Sequence, residues 1–290
     1  MADALPVREA VRWAASVLAG AGVPSPRLDS EVLLAHALGW NRARLYAFPE
    51  FELPAEQRQA FVAFVERRAQ HEPVPYIVGH REFYGLDLLV DRRVLIPRPE
   101  TELLVQHALE SASQLQRSTH ALTLVDVGTG SGCVAVSLAL NLPEVKVYAT
   151  DVSVDALGVA ALNAVRHNVE SRVHLRVGNL LEPLPERVHM IVANLPYIST
   201  GYLAKLDRDV LDYEPRLALE GGEDGLRLVR ALLEQAGTWL LPGGVIWLEI
   251  GGYQGPQAMQ LAQRWFQQAR IELRQDYAHL DRNLGIHSAA

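Results

Sequence analysis

Several features that often decide where a protein works are scarce in this chain of 290 residues. It has one cysteine, Cys133, so an internal disulfide is excluded. No apolar run approaches the roughly 20 residues that cross a bilayer. The apolar N-terminal stretch is interrupted by Arg8, Glu9 and Arg12, which is typical of an amphipathic helix and not of a signal peptide. These absences predict a cytoplasmic protein with no membrane span.

Metal-site spacing and an excess of basic residues are also missing. The ten histidines are scattered and do not cluster with Cys133 at zinc spacing, so we expect no metal. The 27 Lys and Arg residues are outnumbered by 34 Asp and Glu residues, which gives a net charge of −7. Because phosphate neutralisation dominates affinity for nucleic acid, we expect no direct sequence-specific nucleic-acid binding. A protein or small-molecule partner is the simpler expectation.

The spacing and type of apolar residues change twice along the chain. Residues 1–72 carry apolar side chains at helical spacing and predict a small helical bundle. From Val74 to Pro97, short runs of β-branched and aromatic residues are split by Gly79 and Gly85, which predicts a hairpin or two short strands. We therefore predict an N-terminal helical domain at 1–72, a β-hairpin linker at 73–97 and a second domain at 98–290.

Apolar strand-length runs alternate with helical patterns from Leu122 onward. Continuous apolar strands separated by helices indicate an α/β fold with an open, mostly parallel sheet that is covered on both faces. Such sheets bind ligands at the carboxyl ends of their strands. The candidate loops therefore follow Val127, Thr150, Val177 and Ala193.

A glycine-rich turn follows the first of these strands. Gly128, Gly130 and Gly132 have the spacing G-x-G-x-G, and the dinucleotide-binding fingerprint would need a further glycine where Cys133 stands. A ligand without phosphates can lie against such a loop. Asp126 could accept a hydrogen bond from an amine or orient the loop. Asp151 ends the next strand, where an acid can bind the two hydroxyls of a ribose.

The glycine loop and Asp151 together resemble the S-adenosylmethionine site of class I methyltransferases. This resemblance implies a Rossmann-like methyltransferase sheet and S-adenosylmethionine as cofactor. In that family, the third strand usually ends in an acid that binds the adenine amino group. Asn179 stands there in this chain, and its side-chain oxygen can accept the same hydrogen bond. The implied cofactor-binding residues are Asp126, Gly128, Thr129, Gly130, Ser131, Gly132, Asp151, Asn179, Leu180 and Asn194.

The fourth predicted strand ends in Asn194-Leu195-Pro196-Tyr197. The Asn194 side-chain oxygen and the backbone carbonyl of Leu195 can both accept hydrogen bonds from an –NH2 group. Pro196 stiffens the turn, and the Tyr197 ring offers a flat face to a planar group. These four residues are the predicted catalytic residues. They resemble the (Asn/Asp)-Pro-Pro-Tyr motif of amino methyltransferases, with Leu195 in place of the first proline.

Longer stretches narrow the resemblance. The segment from Glu72 to Val105, which contains "IPRPET", is similar to the linker of the HemK/PrmC family of protein-(glutamine-N5) methyltransferases. "YEPRLALEGGEDGLRL", "LEIGGYQG" and "DYAHLDRNLG" are similar to later parts of the same family. The resemblance implies that the substrate is the glutamine of the Gly-Gly-Gln motif in class 1 peptide release factors. It also implies that Arg98, Glu100 and Thr101 join residues 194–197 in binding the substrate.

Other interpretations stay open at this point. Thr101 or the neighbouring acids could simply cap a helix. N6-methylation of adenine in nucleic acid uses the same chemistry, but it requires base flipping and a nucleic-acid-binding domain. A non-catalytic module that binds a release factor or the ribosome is a third hypothesis. A nicotinamide dehydrogenase is disfavoured because the last glycine of the fingerprint is missing.

Overall fold

A computed structural model describes residues 5–116 and 121–289, so the predicted domain limits at residues 1 and 290 lie outside the described residues. The helices are α1 (Val7–Gly20), α2 (Pro26–Leu38), α3 (Arg42–Ala47), α4 (Ala55–Ala69), α5 (Val74–Val78), α6 (Thr101–Leu115), α7 (Cys133–Asn141), α8 (Val154–Arg166), α9 (Thr200–Leu203), α10 (Arg208–Leu211), α11 (Arg227–Trp239) and α12 (Gly255–Trp265). The strands are β1 (His80–Phe83), β2 (Leu86–Leu89), β3 (Thr123–Val127), β4 (Lys146–Asp151), β5 (Val173–Val177), β6 (Val188–Ala193), β7 (Ile198–Ser199), β8 (Glu220–Gly222), β9 (Leu240–Glu249), β10 (Arg270–Gln275) and β11 (Asp281–His287). A 3₁₀ turn spans Arg216–Ala218.

The chain divides into two compact units. The first contains the residues up to His80 together with Asp207–Tyr213, and the second contains Arg81–Leu206 and Glu214–Ala290. The segment Asp207–Tyr213 thus belongs to the helical unit, although the chain on both sides of it belongs to the sheet unit. The predicted domain limits at residues 72 and 97 stay predictions.

The helical unit is built on one amphipathic face of each long helix. In α1, Val7, Ala10, Ala14 and Leu18 are buried at the three- and four-residue spacing of a helix face, whereas Val17 is 37% exposed. Val17 lies one position beside the Ala14–Leu18 row and therefore outside the buried face. These side chains form a single core with apolar residues of α2 and α4.

A buried arginine fastens the segment Asp207–Tyr213 to the helical unit. Arg68 in α4 is 4% exposed, and its guanidinium donates to Asp29 at 2.7 Å and forms an ion pair with Asp209 at 2.8 Å. It also donates to the backbone carbonyl of Glu72 at 3.1 Å. A buried guanidinium is tolerable only with such partners, since an unpaired charge costs several kcal/mol, about 3–5 when one partner is removed.

The segment predicted as a hairpin begins with a helix. Val74–Val78 form α5, so the prediction of extended structure is wrong there. Pro75 lies in the first turn of α5, where its missing N–H costs no helical hydrogen bond, and Gly79 ends the helix in the left-handed region. The strands β1 and β2 then pair in a two-stranded sheet.

The second unit contains a seven-stranded sheet with the order β10-β11-β9-β6-β3-β4-β5. The strands β3, β4, β5, β6 and β9 are parallel, and β11 and β10 extend one edge in antiparallel orientation. The predicted open, mostly parallel sheet is confirmed. The antiparallel edge was not predicted, because β10 alternates apolar and charged residues and β11 includes Asp281 and Arg282.

Burial on both faces explains the continuous apolar strands. All five residues of β3 are buried, and their side chains alternate between two cores. One core packs α6 and α7 against the sheet, and the other packs α11 and α12 against the opposite face. Among the described residues, no helix is long and apolar enough to cross a membrane.

Candidate active site

The register of the sheet brings three predicted loops to one edge. Val127 at the end of β3 pairs with Thr150 of β4 on one side and with Ala193 of β6 on the other. The glycine loop, Asp151 and Asn194 therefore follow neighbouring strands at the same height. Strand β6 thus ends beside β3.

The glycine loop depends on backbone that only glycine adopts easily. Gly128 and Gly132 have φ values of 71° and 80°, in the left-handed region. A Cβ on Gly132 would lie 3.1 Å from the Cβ of Ala160 in α8, and a Cβ on Gly128 would lie 3.1 Å from Leu195 Cδ2. The glycines thus let the loop pack against both α8 and the loop at residues 194–197.

Asp126 orients this loop from below. Its side chain is 2% exposed, and Oδ2 accepts from the Thr129 hydroxyl at 2.6 Å and from the Ala135 N–H at 3.1 Å. Burial raises the pKa of Asp126 to about 7. Of the two roles considered for Asp126, these contacts support orientation of the loop, and a direct contact to the cofactor stays a prediction.

Asp151 and Asn179 keep acceptor atoms available at the ends of β4 and β5. Asp151 accepts from the Gly130 N–H through Oδ2 and from the Ser153 N–H through Oδ1, both at 2.9 Å. Each carboxylate oxygen can accept a second hydrogen bond. The exposed Asn179 donates from Nδ2 to Glu182 at 2.9 Å, which leaves its carbonyl oxygen as the acceptor.

Two residues of the Asn-Leu-Pro-Tyr loop form hydrogen bonds to side chains of α6 and β9. The Nδ2 of Asn194 donates to the Thr101 hydroxyl at 3.0 Å, so its Oδ1 is the atom left to accept from a ligand. The Tyr197 hydroxyl donates to Glu249 Oε1 at 3.3 Å. Burial, with the Glu249 charge next in importance, raises the pKa of Tyr197. Leu195 is 5% exposed and packs in the core below the loop.

Backbone lies directly against the other side of this loop. A Cβ on Gly221 would lie 2.6 Å from the carbonyl oxygen of Pro196, and a Cβ on Gly225 would overlap the carbonyl oxygen of Tyr197 and Nε2 of Gln254. Gln254, 1% exposed, donates from Nε2 to the Tyr197 carbonyl at 3.0 Å and to the Asp224 carbonyl at 3.1 Å. The "GGEDG" turn is therefore a close-packed support for the loop.

The three polar residues of "IPRPET" do different things. Thr101 is 2% exposed and contacts Asn194. Arg98 donates to the buried Glu214 at 2.6 Å, whereas Glu100 is exposed. No side-chain cap bond is seen at the start of α6, so the helix-cap interpretation of Thr101 is not supported. Substrate binding by Arg98, Glu100 and Thr101 stays a prediction.

Three buried polar residues support the site but were not predicted from the sequence: Glu214, Glu249 and Gln254. Glu249 had a visible sign, because it ends an apolar strand as Asp151 does. Gln254 and Glu214 had none, since their partners lie far away in the sequence. Among the described residues, no three His, Cys, Asp or Glu side chains are grouped to hold a metal ion.

Comparison with known proteins identifies the family. Residues 9–79 match the family model "PrmC N-terminal domain", and residues 100–207 match "Methyltransferase small domain". Release factor glutamine methyltransferase from Moorella thermoacetica is 43% identical over 277 residues, which are 95% of this chain and 96% of that protein. The chain belongs to the release factor glutamine methyltransferase (PrmC/HemK) family. The resemblance stated from the sequence is confirmed.

Further relatives agree with this assignment. The release factor glutamine methyltransferase from Koribacter versatilis is 42% identical over 247 residues, which cover 84% of this chain and 86% of that protein. A solved ribosomal protein L11 methylase from Lactobacillus delbrueckii subsp. bulgaricus covers 72% of this chain and 90% of its own, with 20% identity and a TM-score of 0.51. That likeness shows the class I methyltransferase fold alone. As a member of this methyltransferase family, the protein uses S-adenosylmethionine as its cofactor.

We expect Gly225→Ala to lower the rate of methyl transfer by about 10²-fold, the cost of displacing a reacting group by about 1 Å. The new Cβ would push against the Tyr197 carbonyl and Gln254, and its φ of 76° disfavours alanine. The matched control is Gly237→Ala in α11, where no atom lies within 4 Å of the new Cβ. Single-turnover assays of the two folded variants decide the point, and equal rates would remove the packing of Gly225 as a constraint.

Proposed function

We propose that this chain transfers a methyl group from S-adenosylmethionine to N5 of the glutamine in the Gly-Gly-Gln motif of class 1 release factors, and so tunes translation termination in the cytoplasm. The observation that carries the proposal is the orientation of the Asn194 side-chain amide. Its Nδ2 is bound to Thr101, so its oxygen is the atom available at the end of β6, beside the glycine loop. That oxygen matches an –NH2 group of the substrate.

Several features of the site fit S-adenosylmethionine. The free acceptor capacity of Asp151 suits the ribose hydroxyls, and the free oxygen of Asn179 suits the adenine amino group. Val152, which follows Asp151, is 50% exposed and gives a nucleobase an apolar surface. Gly130 has no side chain above the turn, and its N–H is fixed by Asp151. When bound, this cofactor supplies the methyl group.

The chain's own residues would orient and polarise the accepting amide. An amide nitrogen is a weak nucleophile because its lone pair is delocalised, so transfer depends on in-line positioning. The Asn194 oxygen and the Leu195 carbonyl can accept from the –NH2 group, and they stabilise positive charge that develops on nitrogen. The Tyr197 ring can stack on the planar amide. The methylated nitrogen is acidic and can release its proton to water.

Glutamine is favoured over adenine as the accepting group. The names of the relatives at 42% and 43% identity specify release factor glutamine, and they match this chain over most of its length. The net charge of −7 offers nucleic acid little attraction. The runner-up hypothesis of adenine methylation has no observation of its own in this structure.

We propose further that the helical unit recognises the release factor. Tyr46, Phe48 and Phe51 are 58%, 53% and 40% exposed, and the Arg44 guanidinium lies 4.4 Å from the ring centre of Trp40. Aromatic and arginine side chains are the groups that contribute most to protein interfaces. An exposed cluster of this kind suits a protein substrate better than a small molecule.

We expect Asp151→Ala to weaken S-adenosylmethionine binding by at least about 1.5–3 kcal/mol, the value of a hydrogen bond to a charged group. The variant would also free the Gly130 N–H, so Asp151→Asn serves as a second variant that keeps an acceptor oxygen for that N–H. Isothermal calorimetry gives both affinities. An unchanged affinity in Asp151→Ala would remove Asp151 from the cofactor site.

The reaction itself is tested by mass spectrometry of an unmodified release factor after incubation with this protein and S-adenosylmethionine. We expect a gain of one methyl group on the Gly-Gly-Gln glutamine. Asn194→Ala should lower the single-turnover rate by about 10²–10³-fold, as for the loss of one positioned polar group. The control Asn141→Ala removes the amide at the end of α7 that donates to the Ser137 carbonyl, and it should keep the parent rate.

Two further substrates complete the experiment. A short Gly-Gly-Gln peptide should react much more slowly than the folded factor if the helical unit contributes recognition. Equal efficiencies would contradict that role for the helical unit. Methylation of adenine in nucleic acid, with the release factor left unmodified, would contradict the proposed substrate.

A further inference from the structure

Glu249 is a buried carboxyl at the end of β9, outside the residues assigned to the reaction so far. The strand pairing places Leu248 beside Ala193, so Glu249 follows at the level of Asn194. Its side chain is 1% exposed. Removing a carboxylate from water is costly unless hydrogen bonds compensate, so the contacts of Glu249 need an explanation.

The contacts of this carboxyl lead to both ends of the Asn-Leu-Pro-Tyr loop. Oε1 accepts from the Tyr197 hydroxyl at 3.3 Å. Burial raises the pKa of Glu249 to about 7, and the nearby hydroxyls of Thr101 and Tyr197 lower it. Thr101 in turn accepts from Asn194. One carboxyl is therefore bonded to Tyr197 and lies near Thr101, the hydroxyl that accepts from Asn194.

The numbers of protons and acceptor atoms on Asn194, Thr101 and Glu249 limit which group can donate to which. The Thr101 hydroxyl has one proton, and its oxygen already accepts from Asn194. Oε2 of Glu249 is buried and has no assigned hydrogen-bond partner among the described residues. Since buried polar atoms are normally satisfied, the Thr101 proton and Glu249 Oε2 are the natural partners of one another.

Other charged groups near Glu249 do not replace these contacts. Arg282 lowers its pKa and Glu100 raises it, but the guanidinium of Arg282 is hydrogen-bonded to Asp276 at 3.1 Å. Asn283, which faces Glu249 across the β9–β11 pair, has both side-chain polar atoms buried and without a partner among the described residues. Because a carboxylate oxygen can accept two hydrogen bonds, a bond from Asn283 Nδ2 would leave Glu249 Oε2 able to accept from the Thr101 hydroxyl as well.

We propose that Glu249 is a positioning residue for methyl transfer, because an acceptor-only carboxylate fixes which end of the Asn194 amide faces the substrate. The inference rests on the proposed function. With Thr101 donating to Glu249, the hydroxyl oxygen offers only lone pairs to Asn194, which must present Nδ2 to it. The Asn194 oxygen then points outward as an acceptor for the substrate –NH2. A Thr101 proton without this acceptor could instead bond Asn194 Oδ1 and turn the amide around.

The test compares kcat and KM for full-length Glu249→Met, Thr101→Val, Thr101→Ser and the double variant Glu249→Met/Thr101→Val on a folded release factor. Both Glu249→Met and Thr101→Val should lower kcat by at least about 10-fold, within the range for a misplaced polar group. The KM for the factor and the Kd of S-adenosylmethionine should change by less than about threefold, because Glu249 contacts neither ligand in this account. Thr101→Ser keeps the hydroxyl and should stay within several-fold of the parent.

The double variant shows whether Glu249 acts through Thr101 or whether the two residues affect the rate independently. If Glu249 acts through Thr101, the double variant should be little slower than the slower single variant. A rate loss equal to the product of the two single losses would overturn the inference, as would a parent-like kcat in Glu249→Met. Ser111→Ala is the matched control, since it removes a buried α6 hydroxyl that binds the Trp247 ring nitrogen and not the loop. It should keep the parent kcat.

Glu249→Gln carries the test if Glu249→Met does not fold. It keeps the shape of the side chain, but its –NH2 can donate to Thr101, so kcat should still fall by about 10-fold or more. In the parent enzyme, kcat should rise with pH as Glu249 ionises near pH 7, and this rise should be smaller in Glu249→Gln, where Asp126, with its pKa of about 7, is left to titrate. A full rate and an unchanged pH profile in Glu249→Gln would overturn the inference. A parent enzyme that leaves the release factor unmethylated contradicts the proposed function itself.

Discussion

The hydrogen bond from Asn194 to Thr101 is the contact on which the arrangement of the site depends. It joins the end of β6 to the start of α6 across 93 positions of sequence, and it occupies the donor end of the asparagine. What remains exposed to a substrate is an acceptor. A weakly nucleophilic amide needs such an acceptor in a fixed place before it arrives, because a loop that rearranges during the reaction would spend binding energy on its own ordering.

The rest of the sheet unit keeps that contact in place. Gly128 lets the glycine loop approach Leu195, and Gly221 and Gly225 let another turn approach the carbonyls of Pro196 and Tyr197. Gln254, which lies directly before α12, donates a further hydrogen bond to the Tyr197 carbonyl. Gly221 and Gly225 lie against backbone carbonyls, whereas Gly128 lies against the Leu195 side chain and Gln254 donates from its own side chain. The motif therefore depends on glycines that lie close to it in space, and most of them are remote in the sequence.

The sequence predicted the strands that are buried on both faces of the sheet. It did not predict elements whose contacts lie far away along the chain. The strands β3, β4 and β6 are largely apolar because both faces of the sheet are covered. The loops after Val127 and Ala193 were predicted at the correct residues, and the loop after Thr150 one residue early. The edge strand β10 escaped prediction because half-exposed strands lack that pattern. The helix α5 escaped prediction because Pro73 before it and Pro75 within it suggest extended chain, although Pro75 suits a first helical turn.

The same distinction holds within the site. Asn194, Tyr197 and the glycine loop were recognisable as contiguous motifs, and the roles assigned to individual residues there remain proposals. The inward position of Thr101 and the part played by Glu249 could not be predicted, because no local pattern states that residues 101, 194, 197 and 249 meet. Their meeting is a consequence of strand order: β9 lies next to β6, and α6 packs across both strands.

The central claim is the direction of the hydrogen bonds between Asn194, Thr101 and Glu249, and neutron diffraction from deuterium-exchanged crystals observes that direction. Above pH 7, the account predicts a deuteron on the Thr101 hydroxyl that points to Glu249 Oε2. It also predicts that the –ND2 group of Asn194 faces the Thr101 oxygen and that the Asn194 carbonyl oxygen faces the substrate side. A Thr101 deuteron directed at Asn194, with the –ND2 group turned outward, would contradict it.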